Sequence, residues 1–195
     1  MKLKKKYFII VSLWLCLSVV AAIFVCNLLN PSSAFASGLS FGFRSDGANA
    51  KIKAAYIFDG QKTSMKSTLG ENYVLCDGTK QQSGYFEAPT EIVLSTKKSS
   101  VVFEYVVSNL SDNSDISVSA NSQEFENNNM KVSYYYSSSQ VEDLTLVTFS
   151  DSITTFYTDS DASINEVYVY VKVAVDNLSK KAAFEGTLNL LVKAA

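Results

Sequence analysis

The sequence predicts an all-β fold: a single antiparallel β-sandwich, jelly-roll or immunoglobulin-like, preceded by an N-terminal hydrophobic signal or anchor helix. Three observations predict it. After residue 36, apolar and polar residues alternate with period two, which puts one side of each strand in a core. Turn signals rich in Asp-Gly, Asn and Ser recur at close spacing between these runs. The first 36 residues are a different material, basic and then continuously apolar.

That leader holds Lys2, Lys4, Lys5 and Lys6 and no acid, then an apolar run from Tyr7 to Val25 interrupted only by Ser12 and Ser18. A charged head before a hydrophobic segment is the layout of an export signal. Ala34 and Ala36 are the small residues at positions −3 and −1 of a cleavage that would leave Ser37 first. The apolar run is also long enough to span a bilayer, so an uncleaved anchor that keeps the protein on the membrane stays open beside cleavage. The lysines precede the span, so the N-terminus is expected inside and everything after residue 36 outside. Cys16 and Cys26 lack the small preceding residue that a lipobox needs. The domain division is therefore 1–36, signal or anchor, and 37–195, one extracellular domain.

The expected strands run in order along that domain. Leu39–Phe43 comes first. In Ala50–Phe58, Ile52, Ala54, Tyr56 and Phe58 share one face while Lys51 and Lys53 share the other. Tyr73–Cys76 and Glu91–Ser95 are short. Ser100–Ser108 is apolar on both faces. Asp115–Ala120, Lys131–Tyr136, Leu144–Phe149 and Ile153–Tyr157 follow. Glu166–Asp176 is the clearest, with five valines, 167 to 175, on one side and Tyr168, Tyr170, Lys172 and Ala174 on the other. Ala183–Lys193 closes the chain. About ten short strands without a helical pattern between them imply a sandwich or barrel.

Composition narrows the chemistry. The chain has no histidine, which removes Ser-His-Asp and Cys-His catalysis and the HExxH zinc site. Beyond the leader it carries 13 basic and 19 acidic groups, a net charge of −6, so nucleic acid and anionic membrane surfaces are not expected partners. Cys76 is the single cysteine after the leader, which rules out an intramolecular disulfide there and reads as a small buried core side chain. Asp159-Ser160-Asp161 followed by Asn165-Glu166 offers alternating oxygen ligands, but the glycine and the spacing of a calcium loop are missing, and a solvated turn is expected. Asn109-Leu110-Ser111 and Asn177-Leu178-Ser179 match the glycosylation pattern by spacing alone. Nothing selects one pair of carboxylates for glycoside hydrolysis. Tyr134 and Tyr136 share one face of their strand and read either as an aromatic platform for a glycan or protein or as a core-facing side.

Two segments carry a family resemblance. Phe103-Glu104-Tyr105-Val106-Val107-Ser108-Asn109 runs into a polar turn, and Val167–Asn177 is followed by Ala183-Phe184-Glu185-Gly186-Thr187-Leu188-Asn189-Leu190. With the lysine-rich leader, this second half of the chain resembles the bacterial secreted matrix proteins of the TasA and camelysin type. The family's Ala-Tyr-Phe-Ser/Thr-Asp segment after the leader is replaced here by Ala36-Ser37-Gly38-Leu39-Ser40-Phe41-Gly42-Phe43. The resemblance implies a jelly-roll-like sandwich in an extracellular matrix. The expectation is an exported bacterial surface or matrix protein, structural or adhesive, with no enzymatic activity and no cofactor. Expected partners are other copies of the chain or surface proteins and glycans, and the alternative function is an anchored glycan- or protein-binding module. Leu39–Phe43 would either add to a neighbouring subunit's sheet edge or form the first strand of its own domain.

Overall fold

In the computed structural model, residues 34–194 are described apart from 91, 96, 111–113, 121–124, 127–128, 153–154, 158–165 and 176–182. Twelve strands account for nearly all of the regular structure: β1 Ala34–Asp46, β2 Ala50–Phe58, β3 Gln61–Met65, β4 Val74–Cys76, β5 Gln81–Phe86, β6 Val93–Leu94, β7 Ser100–Ser108, β8 Ser114–Ala120, β9 Met130–Ser137, β10 Phe156–Tyr157, β11 Glu166–Val175 and β12 Ala183–Ala194. They form two six-stranded sheets. The first runs β10-β8-β12-β1-β5, with β6 on β1; the second runs β3-β2-β7-β11-β9, with β4 on β2.

The second sheet follows from local chemistry. Asp59 and Gly60 both take positive φ, 53° and 75°, which lets a two-residue turn join β2 to β3 with Phe58 opposite Gln61. Its middle strands, β2, β7 and β11, are antiparallel throughout. The period-two pattern places Ile52, Val101, Phe103, Tyr105, Val107 and the valines of β11 from 167 to 173 inward, and all are essentially fully buried.

The first sheet departs from the expectation of purely antiparallel pairing. β1 pairs with β12 in parallel, from Phe35 opposite Ala183 to Asp46 opposite Lys193 with a shift between Ala36 and Leu39. Alternation reports which side of a strand is buried and carries no information about strand direction. β1 therefore lies inside its own sheet, with β12 on one side and β5 and β6 on the other. Leu39–Phe43 is thus the first strand of its own domain and not a free segment for a neighbour.

Side chains from both sheets meet in one hydrophobic cluster. Phe41 of the first sheet lies 4.5 Å from Phe103 of the second, centroid to centroid, and Phe86 lies 6.4 Å from Tyr105. Each fully buried ring or branched chain contributes about 1.5–3 kcal/mol of transfer free energy. Gly186 leaves the space that the Phe125 ring fills, since a Cβ there would stand 2.3 Å from it. The Tyr105 hydroxyl has no hydrogen-bond partner among the described residues, at a cost of about 1–3 kcal/mol.

Two further expectations change. Leu144–Phe149 is not a strand: Leu144–Leu146 is a 3-10 turn capped by Asp143, whose side chain accepts from the Thr145 amide, and Leu146 is 82% exposed. The Asx cap satisfies backbone donors locally and removes the reason to join a sheet. The strands β3 and β5 are absent from the sequence reading because Gln61-Lys62-Thr63-Ser64 and Gln81-Gln82-Ser83 are polar. Edge pairing rather than burial places them. No helix among the described residues is long and apolar enough to cross a membrane; the expected span 7–25 lies outside them.

Candidate functional site

The residues singled out from the sequence are distributed as follows. Ala34, Ala36 and Ser37 lie at the start of β1, where Ala34 pairs with Leu94 and Ala36 with Phe184. The strand thus begins three residues before the expected domain boundary. Tyr134 and Tyr136 face inward. Tyr134 is 4% exposed, and the Tyr136 ring stacks on Phe156 with its hydroxyl accepting from the Val118 amide. The platform reading fails for this pair, because the face they share is the core face. Cys76 is buried and free, and burial pushes its thiol pKa up, opposed by a hydrogen bond with Ser45. An inert core thiol is the result. Asp159, Asp161 and Asn177 lie outside the described residues, and among those described no group of three or more acids or cysteines is placed to hold a metal ion.

The outward faces hold the polar chemistry. Across the second sheet, one row of cross-strand neighbours reads Ser64, Ala55, Glu104, Tyr170, Tyr135. The adjacent row reads Lys53, Val106, Tyr168, Ser137. The segment after β9 folds back over this face. The Val141 amide donates to the Tyr170 hydroxyl at 3.0 Å, Phe149 packs on Tyr135 at 6.2 Å, and Lys172 sits over the Phe149 ring. Tyr170 is thereby buried on what would otherwise be a solvent face.

Beside that cover a cavity of about 410 Å3 stays open, bounded by Lys53, Lys62, Asn72, Tyr73, Gln140 and Tyr168. Glu104 lies at its floor, 2% exposed and ion-paired to the half-exposed Lys62. Its neighbour Ala55 is too short to fill the space. On one wall, Tyr168 donates to Glu166 at 2.7 Å, and that bond, more than burial, pushes its pKa up to about 12. Tyr170 is also raised to about 12, by burial first and, in lesser part, by the Glu104 charge. At the rim Lys51 lies over the Tyr73 ring at 4.4 Å.

The first sheet presents a groove of about 480 Å3 on its outward face. The row there is Tyr85, Gly42, Asn189, Ser119. The Asn189 side chain lies over Gly42: a Cβ there would stand 1.9 Å from the Asn189 Oδ1 and 3.6 Å from the Tyr85 ring. Next to it Arg44 pairs with Asp46 at 2.8 Å, and that hydrogen bond holds the Asp46 carboxyl below its usual range.

Comparison with protein-family models and with curated proteins finds no match to this chain. Glu104, Lys62 and Tyr85 were not singled out from the sequence. For Glu104 a signal existed: one acid inside the apolar run Val101–Val107. An acid there is either a defect or a partnered group, and only the neighbouring strands say which.

Proposed function

We propose that the chain is an exported bacterial surface or matrix protein, non-catalytic, whose two sheets form a single sandwich under tension between the cell and what the sandwich holds. One observation carries the reading. The first and last strands of the domain are parallel neighbours over ten register pairs, from Phe35 opposite Ala183 to Asp46 opposite Lys193. Their free ends therefore point to opposite ends of the molecule. Pulling residue 34 against residue 194 shears every β1–β12 hydrogen bond at once, whereas a hairpin such as β2–β3 opens one bond at a time. The lysine-rich leader supports the same reading, since it would fasten the N-terminal end of β1 to the membrane or deliver it outside. So does the apolar core, which needs no disulfide.

Single-molecule force measurement tests this. Pulled from residues 34 and 194, the domain is expected to unfold at a markedly higher force than when pulled across the β2–β3 hairpin from residues 50 and 65. Equal forces would remove the tension-bearing role. Export is tested separately: in a Gram-positive host, protease added to whole cells is expected to digest the chain, with Ser37 the first residue of the released form if the leader is cut. Protection from protease would overturn export.

The second reading, a glycan- or protein-binding module, is favoured by the two outward cavities, both within the range of small-ligand sites.

A further inference from the structure

We propose that the cavity on the outward face of the second sheet, floored by Glu104 and Lys62, is a carbohydrate-binding site that takes one or two uncharged sugar rings. The proposal deepens the adhesive reading above by naming the face and the ligand class, and it rests on that reading.

Four observations lead to it. The first is that the floor is built. Glu104 is 2% exposed yet borders the cavity, and it pairs with Lys62. Burying a carboxylate in the middle of a strand is costly, and replacing such a pair with apolar residues is often neutral or stabilising. The half-exposed Lys62 ammonium, held against the buried carboxylate, offers donors to a ligand hydroxyl at the cavity floor.

The second observation is charge balance. Two lysines, Lys53 and Lys62, face two carboxylates, Glu104 and Glu166, around one cavity. With Lys51 over Tyr73 at the rim, the surplus is one positive charge, a weak field for selecting an ion. It suits a neutral ligand rich in hydroxyls. Third, the walls combine rings with groups that both donate and accept. Tyr73 at the rim and Tyr168 inside offer apolar ring faces for the C–H side of a sugar, while Asn72, Gln140 and Ser64 supply amide and hydroxyl groups. Tyr168 is fixed in place by its bond to Glu166 and by stacking on Tyr170, 12° from parallel. A wall immobilised before binding costs little further entropy.

The fourth observation is depth. Ala55 lies between Ser64 and Glu104 in the cross-strand row, and the short side chain opens the hollow above the carboxylate. The segment that covers Tyr170 stops short of it, with Gln140 on the cavity's edge. The groove on the first sheet has Tyr85 and Asn189 but no buried polar floor. It serves here as the control site.

The test uses the full chain purified in mild detergent. Glucose, galactose, mannose, N-acetylglucosamine and their β-1,4 or α-1,4 disaccharides are the probes, read by saturation-transfer NMR and titration calorimetry. At least one probe is expected to bind. Glu104→Gln keeps the shape and is expected to weaken that binding by about tenfold or more, the loss of one charge-assisted hydrogen bond. Tyr73→Ala, at a partly exposed rim position, is expected to weaken it as well, while Tyr85→Ala leaves it unchanged. Binding of none of these sugars overturns the proposal, and so does binding that falls with Tyr85→Ala but not with Tyr73→Ala. Should Glu104→Gln fail to fold, Tyr73→Ala and Lys53→Met decide alone. Export and the force measurement are read on other samples, so loss of the sugar site would leave both readings standing.

Discussion

The two sheets solve the same burial problem with different parts of the chain. In the second, the central strands β2, β7 and β11 are antiparallel and come from the interior of the sequence. In the first, the centre is β1 against β12, the two ends of the domain. A parallel pair cannot be closed by a hairpin, so its two strands must come from distant segments. Here they are separated by almost the whole domain, so their pairing closes a long loop of chain. The outward faces differ too: the second sheet carries a buried ion pair and a covering segment, the first an open groove around Gly42. The lesson is that one sheet is organised by local alternation and the other by chain ends.

Removal of residues 37–45 breaks the comparison most severely. It takes out the strand between β12 and β5 and with it Leu39, Phe41 and Phe43 of the core. The expected result is loss of the cooperative transition in urea, followed by circular dichroism. A truncated chain that unfolds as the full chain does would mean that β1 is dispensable.

Phe41→Ala and Phe103→Ala sharpen it, since the two rings join the sheets at 4.5 Å. Each is expected to cost about 3–5 kcal/mol in urea denaturation. The double variant should fall short of the sum, because each single change already removes the shared contact. Strict additivity would show that the sheets are not coupled through this pair.

Alkaline titration separates the sheets by chemistry. Tyr105, Tyr134 and Tyr170 all belong to the second sheet, and burial raises the pKa of each, Tyr134 and Tyr170 to about 12. A phenol whose folded pKa is raised contributes stability that is complete below its unfolded value of about 10 and is lost as pH rises through the folded value. Stability is therefore expected to fall between about pH 10 and 12. Tyrosinate absorbance near 295 nm should develop in step with unfolding, and full ionisation of the chain's tyrosines at pH 11 with the fold intact would contradict it.

The smallest effect is expected at Gly42→Ala. The added methyl meets the far end of the Asn189 side chain, which can swing away, so the cost is about 1 kcal/mol or less. A loss several times larger would show that Asn189 is held firmly over the groove. Gly186→Ala, against the buried Phe125 ring, is the contrasting position.

Much of the strand content was legible in the chain, and the reasons for the misses are specific. β2, β7, β9, β11 and β12 follow the alternation to within a residue or two. β3 and β5 lack an apolar face and exist because a neighbouring strand supplies backbone partners. Leu144–Phe149 has the apolar residues of a strand, but Asp143 caps a turn there. The candidate site was less legible. Tyr134 and Tyr136 were visible as a pair, yet which side of a strand faces the core depends on what lies across it. Glu104 was visible as an acid among valines, but its partner Lys62 is 42 residues away on a strand the pattern does not announce.

By itself the sequence determined the all-β character, the division of β2 and β11 into two faces, the buried Cys76 and the turn at Asp59-Gly60, because each depends on side-chain type and period or on the local freedom of a few residues. The tertiary structure alone decided that β1 runs parallel to β12, that Tyr134 and Tyr136 point into the core, and that Glu104 and Lys62 meet under an open cavity. Those are matters of direction and of which face meets which, and a two-residue period is the same whichever way a strand runs.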